Sequence, residues 1–351
     1  MFEVDLPSGS VLSEQKVLWR GTGGIYIEGP HIYRKDGWWY LVVSEGGCFP
    51  DHMITAARSR ELFGPYEAAK SNPILPPAGE GAYVGHTGHG DLVCDREGQW
   101  WSICLGVRKD ARGRYNMGRE TFLTPVDWPE GEFPSLSPVE INPKALVARA
   151  GGRKTSAISI ARPGVDLCYI RDVDLSKHKV AGDGTTTLTP DEGFLSDVYK
   201  PTSFVGKRQR QHEGRASVRM SVTVEGVKAG FAVYKDEHRY LCVWHDAAKK
   251  EIVYEAVNAA KKIAVTERYP LSGPGHAGKE SRAPDRITFS VQYTEASYAF
   301  SFECEGSEHT FDAFDTIGLT GFDFVGPIVG VFAVAKGEKV DDVTFWDLHV
   351  E

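Results

Sequence analysis

The chain has 351 residues, which is long enough for two domains with separate cores. Hydrophobic residues (41%) and charged residues (25%) occur in the proportions of an ordinary globular protein, and no apolar run approaches the roughly 18 residues of a membrane span. The net charge of −8 argues against nucleic acid as a partner, because a binder needs a basic surface for the phosphates. Residues 1–6 lack the features of a signal peptide, so we expect a cytoplasmic protein or else a truncated secreted one.

Strand patterns dominate the first 130 residues or so. Residues 32–43 contain an apolar run, the turn sequence Lys-Asp-Gly and a second run that starts with two tryptophans, which predicts a β-hairpin. Residues 91–105 repeat this arrangement, and each hairpin is followed by a further strand, at 53–58 and at 119–124. Successive four-stranded units are typical of propeller blades, although two copies fit a simple meander equally well.

The second half of the chain shows a different pattern. Residues 129–156 are rich in proline, glycine and small polar residues without a period, which is typical of a linker. Apolar and polar residues then alternate, as around Val218 and Met220 and in residues 287–291. This alternation predicts strands with one face in a core and the other in water, as in a β-sandwich. The last strand, residues 342–350, is expected to pair within the same sheets.

Glu28 is the first candidate for chemistry. It lies just before the first hairpin, in the sequence Tyr-Ile-Glu-Gly-Pro-His. Pro30 restricts the residue before it to extended conformations, while Gly29 allows a close bend. A carboxyl group on such a bend between isoleucines is partly removed from water, and burial favours the protonated form that a general acid needs. The same pattern also fits a surface turn, and the residues alone do not decide between the two interpretations.

Two histidines and an arginine are further candidates. His86 and His89 lie in a glycine-framed segment, residues 85–91, which we expect to be a loop. Such histidines can orient a carboxylate, bind sugar hydroxyls, ligate a metal or simply hydrogen-bond within a turn. Arg119 opens a predicted strand, where a guanidinium can contact vicinal hydroxyls or hold a carboxylate. Spacing alone favours an ordinary surface pair of Arg119 with Glu120.

Several short blocks, taken together, resemble glycoside hydrolase family 43, and in particular its β-xylosidase branch with a C-terminal β-sandwich. The blocks occur in the family's order and with similar spacing, at residues 27–33, 44–47, 57–59, 64–67, 72–75, 88–92 and 117–121, and more weakly at 203–209 and 229–234. The resemblance implies an all-β fold. It implies part of a five-bladed β-propeller over residues 1–134, a linker over 135–154 and a concanavalin-like β-sandwich over 155–351.

The resemblance also implies roles for single residues. Glu28 matches the family's general acid, Arg119 a contact to the terminal sugar and His89 the floor of the pocket. His31 of the acid block and Cys48, which stands where relatives usually have a threonine beside the sugar, complete the expected substrate-binding set. The family inverts the anomeric configuration: the acid protonates the leaving oxygen while a base about 6.5–9.5 Å away activates water on the opposite face.

One departure from the family pattern is large. The family's catalytic base, an aspartate in an Asp-Pro-Ser-like block, and a second aspartate that tunes the acid have no counterpart in this sequence. We therefore expect the N-terminal blades to be missing and the catalysis of this chain to be impaired. Asp51 and Asp91 are candidates for a substitute base, although both stand at positions that the family uses otherwise.

The expected activity is that of a β-xylosidase or α-L-arabinofuranosidase acting on xylo-oligosaccharides or arabinose-substituted substrates. The alternative is a non-catalytic carbohydrate-binding or pseudoenzyme fragment. Neither nucleic acid nor membrane is expected as a partner, whereas a homo-oligomer is compatible with the sequence. No cysteine pair has zinc-site spacing, so we expect no metal or other cofactor. Calcium beside His89 is the one ion that the resemblance allows.

Overall fold

The computed structural model describes residues 1–144, 167–271, 286–321, 324–337 and 340–350. These residues are nearly all β, apart from short 3-10 turns such as Leu175–Lys177 and Thr316–Gly318. In this part of the chain, no helix has the length and apolarity needed to cross a membrane. The described residues group into two compact units, one formed by 1–112 with 119–144 and the other by 113–118 with the residues from 167 onward.

The first unit contains two four-stranded antiparallel sheets. In both sheets, strands that follow each other in the chain are also neighbours in space, which is the arrangement of a propeller blade. The first sheet consists of β1 (Glu28–Lys35), β2 (Trp38–Glu45), β3 (Met53–Ser59) and β4 (Glu67–Ala68). The second consists of β5 (Val84–Cys94), β6 (Trp100–Arg108), β7 (Glu120–Asp127) and β8 (Ser135–Leu136).

Both predicted hairpins are confirmed. Lys35 pairs with Trp38, so that Asp36 and Gly37 form a two-residue loop between β1 and β2. Both loop residues have positive φ, +50° and +73°, as such a tight hairpin loop requires. In the second hairpin, Cys94 pairs with Trp100. Strand β5, however, begins well before the predicted start of that hairpin.

The core of the first unit is built by both sheets and closed by aromatic rings. Its buried residues include Tyr40, Val42, Ile54, Ala56, Leu92, Cys104 and Val126. The Trp128 ring packs edge-on against Tyr40 and Trp100, with ring centroids 5.0 and 4.7 Å apart. Such aromatic pairs contribute about 0.5–1.5 kcal/mol each beyond the area they bury. Trp128, which follows β7, therefore helps to hold the two sheets together.

The second unit contains two larger antiparallel sheets. Its strands are β9 (His178–Val180), β10 (Thr186–Leu188), β11 (Ser203–Arg208), β12 (Gly214–Ser221), β13 (Val227–Asp236), β14 (Arg239–Asp246), β15 (Glu251–Asn258), β16 (Ile263–Pro270), β17 (Arg286–Tyr293), β18 (Ser297–Cys304), β19 (Ser307–Thr310), β20 (Phe314–Asp315), β21 (Ile328–Ala335) and β22 (Val343–Val350). One sheet has the order β11-β21-β13-β14-β15-β16, and the other β19-β18-β17-β12-β22-β10-β9 with β20 beside β18.

The predicted alternation holds in the larger of these sheets. Along β12, Val218 and Met220 are buried while Arg219 between them is exposed. The last strand, β22, pairs with β12 as expected. The six-stranded sheet does not show this alternation at β21, all of whose residues are buried. The second face of this sheet is covered as well, because Phe332 packs in a separate cluster that contains Leu195.

The boundary between the units remains a prediction. Strand β8 pairs with β7, although the sequence analysis assigned residues 135 and 136 to a linker. Residues 113–118 group with the second unit, where the Asn116 amide donates to the Tyr298 hydroxyl at 2.5 Å. The predicted linker lies outside the described residues from position 145 onward.

Candidate active site

Glu28 is the first residue of β1 and pairs with Ser44 of β2. A β-bulge follows it, and Gly29 has a φ of +56°, so the bend expected from the glycine is present. The bend turns this part of β1 towards the second sheet, where the ring of His89 lies 3.4 Å from the position that a Gly29 Cβ would take. The Glu28 side chain is 37% exposed, which leaves it accessible to a ligand while Oε1 itself is buried.

Two imidazole rings flank the Glu28 carboxyl group. Nδ1 of His89 lies 3.2 Å from Glu28 Oε1, and Nε2 of His52 lies 3.6 Å from the same oxygen. The two rings differ in their surroundings, because the His89 side chain is 43% exposed whereas the His52 side chain is only 1% exposed. One imidazole is therefore accessible to a ligand, and the other lies in the protein interior behind the acid.

The histidine segment lies within strand β5, so the prediction of a loop was wrong. His86 and His89 have positive φ values of +54° and +47°, and the pairing with β6 shifts register on either side of Gly88. Two bulges thus allow a glycine-rich stretch to continue in the sheet while re-aiming single side chains. The His89 amide is held by the Ser44 hydroxyl at 2.7 Å. Such backbone outliers cost of order 1–3 kcal/mol each and cluster at functional sites.

Arg119 and Cys48 lie beside this group. The Arg119 guanidinium donates a hydrogen bond from Nη1 to Cys48 Sγ at 3.0 Å. The charge of Arg119 acts on His52, as do those of Glu28 and His89. Spacing alone favoured a surface pair of Arg119 with Glu120. In the structure, Glu120 instead forms a bidentate pair with Arg108, at 2.7 and 2.8 Å. Glu28, His89 and His52 thus form one cluster, and Arg119, held by Cys48, is near enough for its charge to act on His52.

His31 has different contacts from the other predicted site residues. Its Nδ1 lies 3.5 Å from Asp91, and its ring stacks on Tyr33 with centroids 6.3 Å apart. The Tyr33 hydroxyl also hydrogen-bonds to Asp91 and accepts from the Leu92 amide at 2.8 Å. Burial, together with the Asp91 carboxylate, raises the pKa of Tyr33. These contacts join β1 to β5, so Asp91, a candidate substitute base, is engaged in holding the sheets together.

Asp51, the other candidate base, lies in a cleft of about 590 Å³ with Tyr26 and Phe49. The two aromatic rings stack with centroids 6.2 Å apart, and both are largely exposed. Of its lining residues, Phe49 directly follows Cys48 in the chain, and Tyr26 precedes Glu28 by two residues.

Two residues of the site were missed in the sequence analysis. Glu45 is fully buried and accepts hydrogen bonds from the Thr22 amide at 2.9 Å, the Gly24 amide at 2.8 Å and the Thr55 hydroxyl at 2.6 Å. Burial opposes its charge, but these hydrogen bonds outweigh burial and lower the pKa of Glu45. The carboxylate thereby fixes the segment that leads to Glu28. The glycines around Thr22 were the available signal, because Gly24 has no room for a Cβ beside Glu45.

His52 is the second residue that was missed. It stands between Asp51 and Met53 without any flanking pattern that marks it as functional. Its contacts with Glu28 and with the His86 carbonyl group span long distances in the chain, and local sequence does not reveal such contacts.

The fit of a calcium ion beside His89 can be tested on the donors present. Calcium takes about six to eight oxygen ligands. The described neighbours of His89 offer one carboxyl group, that of Glu28, and no group of three or more His, Cys, Asp or Glu side chains among the described residues is arranged to hold a metal. These residues by themselves do not fit a calcium site.

Comparison with known proteins places both units in one class of enzymes. The model of "Glycosyl hydrolases family 43" matches residues 1–134, and that of the "Beta xylosidase C-terminal Concanavalin A-like domain" matches residues 179–348. A xylosidase/arabinosidase of Butyrivibrio fibrisolvens is 29% identical over 269 residues, covering 68% of this chain and 49% of that protein. A non-reducing end α-L-arabinofuranosidase of Bacteroides ovatus is 26% identical over 362 residues, covering 95% of this chain and 64% of that protein.

The fold is shared with solved structures of the same family. A family 43 protein from Bacillus licheniformis superposes with a TM-score of 0.79 at 24% identity, covering 98% of this chain and 68% of that one. Fold and matches together show an all-β chain that consists of part of a propeller followed by a concanavalin-like sandwich, as predicted. The chain belongs to glycoside hydrolase family 43. It spans about half to two thirds of the length of the curated relatives named above.

Proposed function

We propose that this chain carries the acid half of an inverting exo-glycosidase site, with Glu28 as general acid for the release of terminal xylose or arabinose. The observation that carries this proposal is the position of the Glu28 carboxyl group between two imidazoles, next to the Arg119–Cys48 pair. The names of the relatives, a xylosidase/arabinosidase and an arabinofuranosidase, support the choice of pentosides as substrates.

Each group of the cluster has a role in this proposal. Glu28 gives its proton to the glycosidic oxygen as the bond to the leaving sugar breaks. The planar guanidinium of Arg119 suits two neighbouring hydroxyl groups of the terminal sugar, and Cys48 holds one of its nitrogens in place. His89, which is half-exposed beside Glu28, faces the bound sugar from β5. His31 is proposed to act on the substrate only through the position of β1, since its contacts are with Asp91 and Tyr33.

No base for the reaction is assigned among the described residues of this site. An inverting enzyme needs a second carboxylate about 6.5–9.5 Å from the acid to activate water. Asp91 is engaged by His31 and Tyr33, and Asp51 lies in the aromatic cleft. We therefore propose that the 351 residues alone hydrolyse pentosides slowly or not at all.

The test of this proposal is an assay on xylobiose and arabinose-substituted xylo-oligosaccharides, with and without azide. Azide attacks the sugar without a base, so the chain is expected to form a glycosyl azide of inverted configuration while water gives little product. Glu28→Gln should reduce azide turnover by about 10²–10⁴-fold, the usual contribution of a general acid. Glu67→Gln, at an exposed position of β4, is the matched control. Rapid hydrolysis without azide would show that a base is present in this chain.

A second candidate function is non-catalytic carbohydrate binding by the sandwich. A polar cleft of about 450 Å³ lies on the larger sheet of the second unit, lined by Arg215, Gln292 and Glu308 among others. Hydroxyl side chains form its floor, with Ser290 Oγ 2.8 Å from Ser301 Oγ. Calorimetry of the full chain with xylohexaose separates this function from catalysis. Heat that Gln292→Ala abolishes and Glu28→Gln leaves unchanged supports it, and no heat at millimolar sugar excludes it.

A further inference from the structure

His52 has a position that the proposed roles of the other residues do not explain. Its side chain is almost completely buried, and it lies behind the carboxyl group of Glu28. Its packing is tight, since a Cβ at Gly88 would come within 2.3 Å of Nε2. Only a glycine at position 88 lets the ring approach β5 this closely. A buried titratable ring aimed at the candidate acid is expected to affect its protonation.

The contacts of His52 determine which of its nitrogens carries the proton. Nδ1 lies 3.1 Å from the carbonyl oxygen of His86. A carbonyl oxygen only accepts hydrogen bonds, so Nδ1 must be the protonated nitrogen. Burial lowers the pKa of His52 despite the opposing effects of the His86 carbonyl and of Glu28. The ring is therefore neutral near pH 7, and Nε2 presents a lone pair.

This lone pair faces the acid. Nε2 of His52 and Oε1 of Glu28 are 3.6 Å apart, both atoms are buried, and neither has a hydrogen-bond partner among the described residues. A carboxylate oxygen and an imidazole lone pair in this arrangement are two acceptors that repel each other. Leaving such buried groups without a hydrogen-bond partner is unfavourable. A proton on Oε1 removes the conflict, because the carboxyl O–H can donate to Nε2 once the two atoms approach from 3.6 Å to hydrogen-bond distance.

We propose that His52 is a positioning residue that accepts a hydrogen bond from the protonated carboxyl group of Glu28 and so keeps Glu28 in its acid form. The inference rests on the proposed role of Glu28 as general acid. After the proton has passed to the leaving oxygen, the carboxylate again faces the lone pair, which favours uptake of a new proton from solvent. The two partners of this bond lie in β1 and directly before β3.

The other charged groups around this bond are compatible with it. From β5, His89 lies 3.2 Å from the same oxygen, and a carboxyl O–H can donate to His52 while it accepts from His89. Arg119, just before β7, lowers the pKa of His52 further and so favours the neutral ring. Both neighbours thus support a neutral His52 with a free acceptor.

The direct test is the tautomer of His52, read from ¹⁵N chemical shifts of the full chain labelled at histidine. His52→Gln assigns the signals. We expect the Nδ1–H tautomer at pH 7, with a lone pair on Nε2 whose shift moves in Glu28→Ala and does not move in Glu67→Ala. An Nε2–H tautomer, a doubly protonated ring, or an Nε2 shift that ignores Glu28 would overturn the proposal. This readout requires no turnover, so it is independent of the proposed glycosidase function.

The kinetic test uses azide turnover as a function of pH. His52→Phe keeps a ring but removes the acceptor, and the alkaline limb of the profile should move to lower pH by about one unit at nearly unchanged KM. His52→Gln, which offers an amide oxygen to Glu28, should restore part of the shift. A profile that stays in place in His52→Phe contradicts the inference. Loss of activity in Glu67→Gln as well as in Glu28→Gln would instead point to failure of the proposed acid role.

Discussion

Three acidic side chains of the first unit do different work because their partners differ. Glu45 is surrounded by N–H and O–H donors, which stabilise its charge. In the proposed arrangement, Glu28 faces the Nε2 lone pair of His52. Asp91 joins two strands through His31 and Tyr33. The partner atoms, rather than the residue type, thus separate a structural anchor, a candidate acid and a link between sheets.

The anchoring role of Glu45 predicts a pH-dependent stability. Its pKa is lowered in the folded protein from an ordinary value of 4.5, so the stability it contributes is present above that value and is lost as pH falls through the lower folded value. Glu45→Gln is expected to reduce the free energy of unfolding by about 1–3 kcal/mol at pH 7, because an amide nitrogen meets N–H donors. The measurement is urea unfolding of both proteins at pH 7 and pH 3.

Glu67→Gln serves as the control for this comparison, since Glu67 is exposed. The stability difference between the wild type and Glu45→Gln should be smaller at pH 3 than at pH 7, because pH 3 lies below 4.5, the ordinary value at which the unfolded chain takes up its proton. An equal difference at both pH values would show that the charge of Glu45 does not hold the segment around Thr22.

Strand β5 stays paired with β6, while two bulges turn single side chains of the strand towards other residues. Its two bulges place the His86 carbonyl group on His52 and the His89 ring on Glu28. Gly88 lies between the bulges and in contact with the His52 ring. Small changes in this strand should therefore affect both the stability and the site.

Two glycines of β5 give a matched pair of substitutions. A Cβ at Gly88 would meet the His52 ring at 2.3 Å, whereas a Cβ at Gly85 meets nothing within 4 Å. Overpacking of this kind costs about 1–3 kcal/mol, so Gly88→Ala should lower the free energy of unfolding by that amount and Gly85→Ala by less than about 0.5 kcal/mol. Equal effects of the two substitutions, measured by urea unfolding, would contradict the packing described for His52.

Much of this first unit followed from local sequence, and the rest depends on contacts between distant residues. The β1–β2 hairpin was predictable because Asp36 and Gly37 carry the turn chemistry that its two-residue loop demands. The histidine segment of strand β5, residues 85–91, was predicted to be a loop because glycines and bulges interrupt the period of the strand. The family blocks pointed to Glu28 and His89, but His52 acquires its role only through the His86 carbonyl group, 34 residues away in the chain.

In both units of the molecule, clusters of buried side chains cover the faces of the sheets. The six-stranded sheet of the sandwich is covered on both faces, which explains why β21 reads as a continuous apolar run. Its partner sheet alternates, and the buried half of that alternation forms the core between the sheets. The alternating pattern could thus be predicted from the sequence. The burial of the second face of β21 could not, because it depends on residues distant in the chain, such as Leu195.

The sandwich core gives a prediction for the second unit. Phe289 of β17 is fully buried between the sheets, and its neighbour Thr288 points to the opposite face. Phe289→Ala is expected to lower the free energy of unfolding by about 3–5 kcal/mol, the usual cost of a large cavity in a core. Thr288→Ala should change it by less than about 0.5 kcal/mol. Urea unfolding followed by tryptophan fluorescence measures both, and a cost below 1 kcal/mol for Phe289→Ala would contradict the core as described.

The central claim, that Glu28 is a general acid, is tested most directly by the dependence of azide turnover on the leaving group. Nitrophenyl β-xyloside has a leaving group that departs without a proton, whereas xylobiose needs one. Glu28→Gln is therefore predicted to lose about 10²–10⁴-fold on xylobiose and much less on the nitrophenyl glycoside. Equal losses on both substrates, or no loss on xylobiose, would contradict the assignment of Glu28 as the acid.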